Sequence, residues 1–246
     1  KREYVIPITL RIYDFVLDDI PQWKRGLFQG RTPSVEVLKL QKEWGFNTIA
    51  FWWWHGGHFY FGNAREGRVL FKSNSGGIGY HLENMKKVGF CSTWVYFLMH
   101  QGFSQAVENW TNTKYPSNEY KEQYIKALKE LFDYCKDNNY SLPILVPTDE
   151  PTGYNLERFL KEAYWISEQV SFAKIYTVLH KKNDHKVFKG KKYLNVWVMN
   201  NPSPEKKWAA ENNGSEFGIY RGVHIKRPMG DTRFHYGYKS FWFDAV

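Results

Sequence analysis

The chain has 246 residues, of which 43% are hydrophobic, 19% aromatic and 24% charged, and its formal net charge is +9. This composition excludes a disordered or collagen-like chain, and no uncharged apolar stretch approaches the roughly 20 residues that a membrane span requires. The lysines are scattered and form no continuous basic stripe, so the positive charge does not indicate a nucleic-acid partner.

Strand patterns alternate with helix patterns along residues 21–246, whereas residues 1–20 predict a linker or the last strand of a preceding β-sandwich. The predicted strands are 23–28, 47–54, 91–98, 142–148, 173–179, 193–199, 217–221 and 240–244. The predicted helices include 33–44, 80–88, 118–138, 156–168 and 204–212. This alternation favours a parallel sheet, and eight strands in this length favour an α/β fold, a (β/α)8 TIM-type barrel that lacks its last helix. A doubly wound open sheet is the alternative, but the G-x-G-x-x-G sequence that often accompanies it is absent.

The clearest helix pattern is that of residues 118–138. Tyr124, Leu128, Leu131 and Cys135 recur at i, i+4, i+7 and i+11, with charged residues between them. Cys135 therefore lies on the apolar face and is expected to be a buried free thiol.

Three sequences fit the acceptor pattern for N-glycosylation, and they begin at Asn109, Asn139 and Asn213. Together with the high aromatic content they favour a glycoprotein in an extracellular or cell-surface setting. Aromatic rings also stack on the apolar faces of sugars, so a carbohydrate partner is expected.

The predicted fourth strand ends in two adjacent acids, Asp149 and Glu150, which Pro151 follows. Proline cannot extend the hydrogen-bond ladder, and it restricts Glu150 to extended geometry. Two neighbouring carboxylates repel each other when both are ionised, which suits a general acid beside a charged partner. Neighbours in a regular strand face opposite ways, so both acids can reach one substrate only where the pleat is lost.

In a TIM-type barrel the functional residues lie at the carboxyl ends of the strands. Besides the two acids, these ends carry side chains that could contact a substrate: Trp54, His55, His100, Asn200, Tyr220 and Arg221. His55 and His58 lack companion ligands at metal-binding spacing, so neither a metal nor another cofactor is expected.

Most glycosidases place two carboxylates about 5–9.5 Å apart across the scissile bond. No later strand end offers a clear partner for Glu150. Glu216 lies at the start of the seventh strand, and Asp244, the alternative, is followed by only two residues of the sequence. The missing partner favours a substrate-assisted mechanism, in which a 2-acetamido group of the sugar is the nucleophile.

Three segments resemble glycoside hydrolase family 123: residues 13–21 (YDFVLDDIP), Asp149-Glu150-Pro151, and residues 233–242 (RFHYGYKSFW). The resemblance implies a (β/α)8 catalytic barrel behind a β-sandwich domain, with β-N-acetylgalactosaminidase activity by substrate assistance. It further implies that Asp149 orients the acetamide and that Glu150 is the general acid/base. Trp197, Tyr220 and Trp242 are the candidates for contacts with the amide and the sugar ring.

The predicted function is therefore an N-acetylhexosaminidase of the retaining, substrate-assisted type. The alternative is a non-catalytic barrel that binds carbohydrate or belongs to a surface assembly. It is favoured by the shortened barrel pattern, in which no last helix is predicted, and by the fact that fold alone does not fix function.

Overall fold

The computed structural model describes residues 24–29, 34–51, 78–90, 94–97, 103–179, 184–199, 204–222 and 239–243. These residues form eight strands and seven helices. The strands are β1 (Lys24–Gln29), β2 (Thr48–Phe51), β3 (Trp94–Phe97), β4 (Pro143–Val146), β5 (Tyr176–Leu179), β6 (Val196–Met199), β7 (Glu216–Gly222) and β8 (Lys239–Phe243). The helices are α1 (Val35–Glu43), α2 (Ile78–Val88), α3 (Gln105–Thr111), α4 (Asn118–Asp137), α5 (Tyr154–Gln169), α6 (Asp184–Phe188) and α7 (Pro204–Asn212).

The strands form one sheet in the order β4-β3-β2-β1-β8-β7-β6-β5. The hydrogen-bonded pairs among β1 to β7 are parallel, and helices separate consecutive strands, as the alternation predicted. The edge strand β4 is also joined to the segment before β5, through a parallel bridge between Leu145 and Ile175. There the Leu145 N–H donates to the Lys174 carbonyl at 2.9 Å.

Strand β8 departs from the predicted pattern, because it is antiparallel to both of its neighbours. Phe243 pairs with Lys24 at the start of β1 and with Gly218 of β7. To form a parallel strand, the chain must first cross over from the carboxyl end of the preceding strand to its amino end. An antiparallel strand can begin directly where the preceding strand finishes. The sequence pattern of a strand is the same in either direction, so its direction could not be read from it.

Both faces of the sheet are buried where β4, β5 and β6 lie. Leu145, Leu179 and Trp197 belong to the core that the helices cover. The strand residues adjacent to these in sequence are also buried but point to the opposite face, and they are Ile144, Val146, Val178, Val196 and Val198.

Helix α4 supplies much of the core on the helical side, as its sequence pattern predicted. Tyr124, Leu128, Leu131 and Cys135 are all fully buried. The helix begins after Ser117, whose side chain accepts a hydrogen bond from the Tyr120 N–H at 3.1 Å, as N-cap serines do.

Two short helices were not predicted. Helix α3 precedes α4, and α6 lies between β5 and β6. Residues 1–20, assigned from the sequence to a linker or a sandwich strand, lie outside the described residues. No helix in the described part of the chain is both long enough and apolar enough to span a membrane.

The environment of Cys135 predicts an unreactive thiol. The residue is fully buried, and burial raises the pKa of its thiol to about 12, so little reactive thiolate is present at pH 8. We expect iodoacetamide to label Cys135 only at denaturant concentrations that unfold the chain, as followed by peptide mass mapping. Rapid labelling without denaturant, at the rate of the fully unfolded control, would contradict this packing.

Candidate active site at the carboxyl end of strand β4

The two adjacent acids lie directly beyond a fully buried strand. All four residues of β4 are buried, and so are Pro147 and Thr148. Asp149 and Glu150 are partly exposed, and Pro151 is buried again. The chain therefore brings both carboxyl groups to the protein surface at the carboxyl end of β4, between two buried anchoring points.

Glu150 has a left-handed backbone conformation, with a φ of 41°. The prediction that Pro151 holds Glu150 extended is therefore wrong. The strand ends at Val146, and the backbone bends from Pro147 to Glu150, so the alternation of a pleated strand no longer applies to the two acids. This meets the condition under which neighbouring acids can serve one substrate.

The left-handed conformation of Glu150 stores strain in the loop. A non-glycine residue in this region costs about 1–3 kcal/mol, and such outliers persist where the surrounding structure imposes them, often at functional sites. The loop ends at Gly153, which has a φ of 53° and precedes α5, and here glycine meets the same requirement without a steric cost.

Thr148 adds a polar group that the sequence analysis missed. The residue is 2% exposed, and its Oγ1 has no hydrogen-bond partner among the described residues. A buried hydroxyl without a partner costs free energy, so a bound water molecule would be favoured there. Threonine is common in strands, so its type and position in the sequence gave no reason to select it.

The structure contradicts the predicted sugar contact of Trp197. This residue is fully buried among the helices, and its ring lies edge-on to Phe188 with the centroids 6.1 Å apart. Its indole N–H donates to the Leu194 carbonyl at 3.2 Å. Trp197 is a core residue because its position in β6 directs it to the helical side of the sheet.

The other predicted contacts are only partly placed. Trp54, His55, His100 and Asn200 lie outside the described residues. Tyr220 and Arg221 lie within β7 rather than beyond its end, opposite Phe241 and Ser240 of β8.

Trp242 does not lie near the carboxyl ends of the parallel strands, where it was expected, because β8 is antiparallel. It pairs with Arg25, the second residue of β1, and with Ile219 of β7. The carboxyl end of β8 therefore lies where β1 begins, and the expectation that it joins the other carboxyl strand ends is wrong. Asp244, the alternative second carboxylate, lies outside the described residues.

Helix α5, which follows the acid loop, is held by a buried charged network. Glu162 is fully buried, and its Oε1 accepts from Arg158 Nε at 2.9 Å, from the Tyr120 hydroxyl at 2.9 Å and from the Ser104 hydroxyl at 3.3 Å. Arg158 Nη2 also lies 3.4 Å from an oxygen of Glu108. These contacts tie α5 to α3 and α4.

Burial determines the titration of this network. It raises the pKa of Glu162, and the adjacent Arg158 guanidinium opposes this shift. Burial likewise raises the pKa of the Tyr120 hydroxyl.

Among the described residues no three or more His, Cys, Asp and Glu side chains are grouped so that they could hold a metal ion.

No protein-family model and no curated protein matches the sequence. Similar solved structures include a psychrophilic glycoside hydrolase family 10 endo-β-1,4-xylanase, with a TM-score of 0.49 and 10% identity over 82% of this chain and 76% of that chain. The Bacillus cereus spore cortex-lytic enzyme SleL has a TM-score of 0.46 and 10% identity over 90% of this chain and 66% of its own. An FMN-binding β-glucuronidase from Facaelibacterium prausnitzii L2-6 has a TM-score of 0.43 and 12% identity over 80% of this chain and 29% of that chain.

None of the three structures is described as a member of family 123. With TM-scores below 0.5 they do not define the activity of this chain.

The strain at Glu150 predicts an unusual order of stability. Glycine tolerates a positive φ better than alanine, so we expect Glu150→Gly to be more stable than Glu150→Ala by about 1 kcal/mol. Urea unfolding measures the difference. At the helical position Glu122 the order should reverse, with the glycine variant about 1 kcal/mol less stable. If the glycine variant were less stable than the alanine variant at position 150 as well, a left-handed Glu150 would be excluded.

The buried network predicts a large effect of removing one charge. Arg158→Met leaves the Glu162 carboxylate buried without its partner, and we expect the free energy of unfolding to fall by about 3–5 kcal/mol. The matched control is Lys207→Met, which removes an exposed pair with Glu211 and should cost less than about 1 kcal/mol. Similar losses for both variants in urea unfolding would contradict the role of the network.

Proposed function

We propose that the chain is a glycoside hydrolase that cleaves N-acetylated amino sugars by a substrate-assisted, retaining mechanism. The observation that carries this proposal is the pair Asp149 and Glu150, placed in a strained bend directly beyond a buried parallel strand. The resemblance of the Asp-Glu-Pro sequence to family 123 supports the assignment of roles.

The proposal includes a closed barrel. It is supported by the bridge between Leu145 and Ile175, which links the two edges of the sheet, and by the second buried face of β4 to β6. In a barrel the carboxyl ends of the parallel strands form the active-site face, and the loop after β4 opens onto it. The antiparallel β8 is a departure from the standard eightfold repeat.

The mechanism uses the two acids in different ways. Asp149 accepts a hydrogen bond from the acetamide N–H and thereby orients the amide oxygen toward the anomeric carbon. That oxygen attacks, the bond to the leaving oxygen breaks, and Glu150 donates its proton to the leaving group. Water then opens the cyclic oxazolinium intermediate, which has kept the amide N–H, while Glu150 accepts a proton from the water. This step restores the acetamide group and the protonated Glu150.

The position of Glu216 is compatible with a mechanism in which the substrate supplies the nucleophile. Glu216 lies at the amino end of β7, where it forms an ion pair with Lys174. The carboxyl end of β8 lies at that same edge of the sheet. Glu216 therefore offers no second carboxylate to a sugar bound at Glu150.

Substitution of the acids tests the proposal. We expect Glu150→Gln to lower kcat for an aryl N-acetyl-β-hexosaminide by about 10²–10⁴-fold, because the general acid is lost. Asp149→Asn should also slow turnover severely, whereas Glu157→Gln, an exposed position in the next helix, should leave it unchanged.

A thiazoline analogue of the cyclic intermediate should inhibit the wild-type chain, because only a substrate-assisted site is complementary to it. Undiminished turnover in Glu150→Gln would exclude this assignment. Binding of hexosaminides by calorimetry without any product in the wild-type chain would instead support the non-catalytic carbohydrate-binding alternative.

A further inference from the structure

A concave surface lies between α6 and α7, and we call it the α6–α7 cleft. It has a volume of about 570 Å³. Its lining includes His185, Lys186, Lys189, Lys192, Trp208 and Asn212. The cleft extends to the turns that precede β6 and β7, which lie at the amino ends of the parallel strands. Asp149 and Glu150 lie at the opposite edge, so the cleft is a separate site.

The lining combines positive charge with an exposed aromatic ring. Among the described residues, Lys186, Lys189 and Lys192 form no ion pair, whereas the cleft's carboxylate, Glu205, lies 3.5 Å from His185 Nε2. Trp208 is 65% exposed, which is unusual for so large an apolar side chain. The cleft therefore offers a flat apolar surface beside three ammonium groups.

The lysine-bearing turn is held in place by a buried side chain. Asn213 is 8% exposed, and its Oδ1 accepts from the Gly190 N–H at 2.8 Å. Its Nδ2 donates to the Lys191 carbonyl at 3.2 Å and to the Ser215 hydroxyl at 3.0 Å. These bonds make Asn213 a structural residue, and a glycan attached to its amide nitrogen would disrupt them.

We propose that the α6–α7 cleft binds an anionic saccharide. A sugar ring stacks on the Trp208 indole, and the carboxylate or sulfate groups of the sugar contact Lys186, Lys189 and Lys192. The choice of a saccharide over another polyanion rests on the proposed function, because a glycan-cleaving protein meets such chains. Three lysines around one confined cleft also suit a short charged segment better than a long nucleic acid, which needs an extended basic surface.

Binding to the intact chain tests the proposal by calorimetry. The probes are a short oligogalacturonide and its methyl-esterified form, which has the same sugars without the charges. We expect the charged form to bind and the esterified form to bind at least about tenfold more weakly at low salt. Equal binding of the two forms, or no binding of either, would overturn the proposal.

Variants locate the binding. Trp208→Ala and the double variant Lys186→Gln/Lys189→Gln should each weaken binding of the oligogalacturonide by about tenfold. The matched controls are Trp44→Ala, which removes a tryptophan of similar exposure, and Lys126→Gln/Lys129→Gln, which removes two lysines from a groove also lined by Glu122, Glu130 and Asp133. Equal losses in the controls would show nonspecific attraction and contradict the site.

Two further measurements separate this proposal from its alternatives. A polyglutamate peptide or a single-stranded oligonucleotide that binds through Trp208 more tightly than the oligogalacturonide would replace the saccharide as ligand and overturn the proposal. Trp208→Ala should leave turnover of the small aryl hexosaminide unchanged, and Glu150→Gln should leave oligogalacturonide binding unchanged. The two variants therefore show separately whether the proposed saccharide site or the proposed active site is wrong.

Discussion

The position of helix α5 depends on one buried ion pair, between Arg158 and Glu162. Neither charge can leave water at acceptable cost without the other, and the hydroxyl groups of Tyr120 and Ser104 also donate hydrogen bonds to Glu162 Oε1. Because these partners lie on or beside other helices, the pair fixes α5 against α3 and α4. The loop that carries Glu150 therefore ends on a rigid support.

That support explains how an unfavourable backbone conformation can persist next to the helix. Glu150 has a positive φ although it is not glycine and although a proline follows it. Buried strand β4 holds one end of the loop and anchored α5 holds the other, so the residues between them have little freedom to relax. The strain at Glu150 is thus offset by the packing of the core on both sides of the loop.

Most elements of the fold follow from local sequence patterns. Helix α4 was predicted almost to the residue, because its apolar side chains recur at helical spacing. The short helices α3 and α6 were missed because one or two turns give too little periodicity to detect. The direction of β8 was also missed, since its pattern of side chains is compatible with either orientation, and only its partners β1 and β7 decide between them.

The acids of the candidate site were identifiable from residue type and position alone, because two carboxylates between an apolar strand and a proline are unusual. The surroundings of individual side chains were not. Trp197 was expected to contact a sugar and is a core residue. Asn213 fits the N-glycosylation pattern, but its side chain holds a turn. Arg158 and Glu162 have the spacing of an ordinary exposed helical pair. Spacing shows which residues share a face, but what covers that face depends on elements distant in the chain, and these are brought there only by folding.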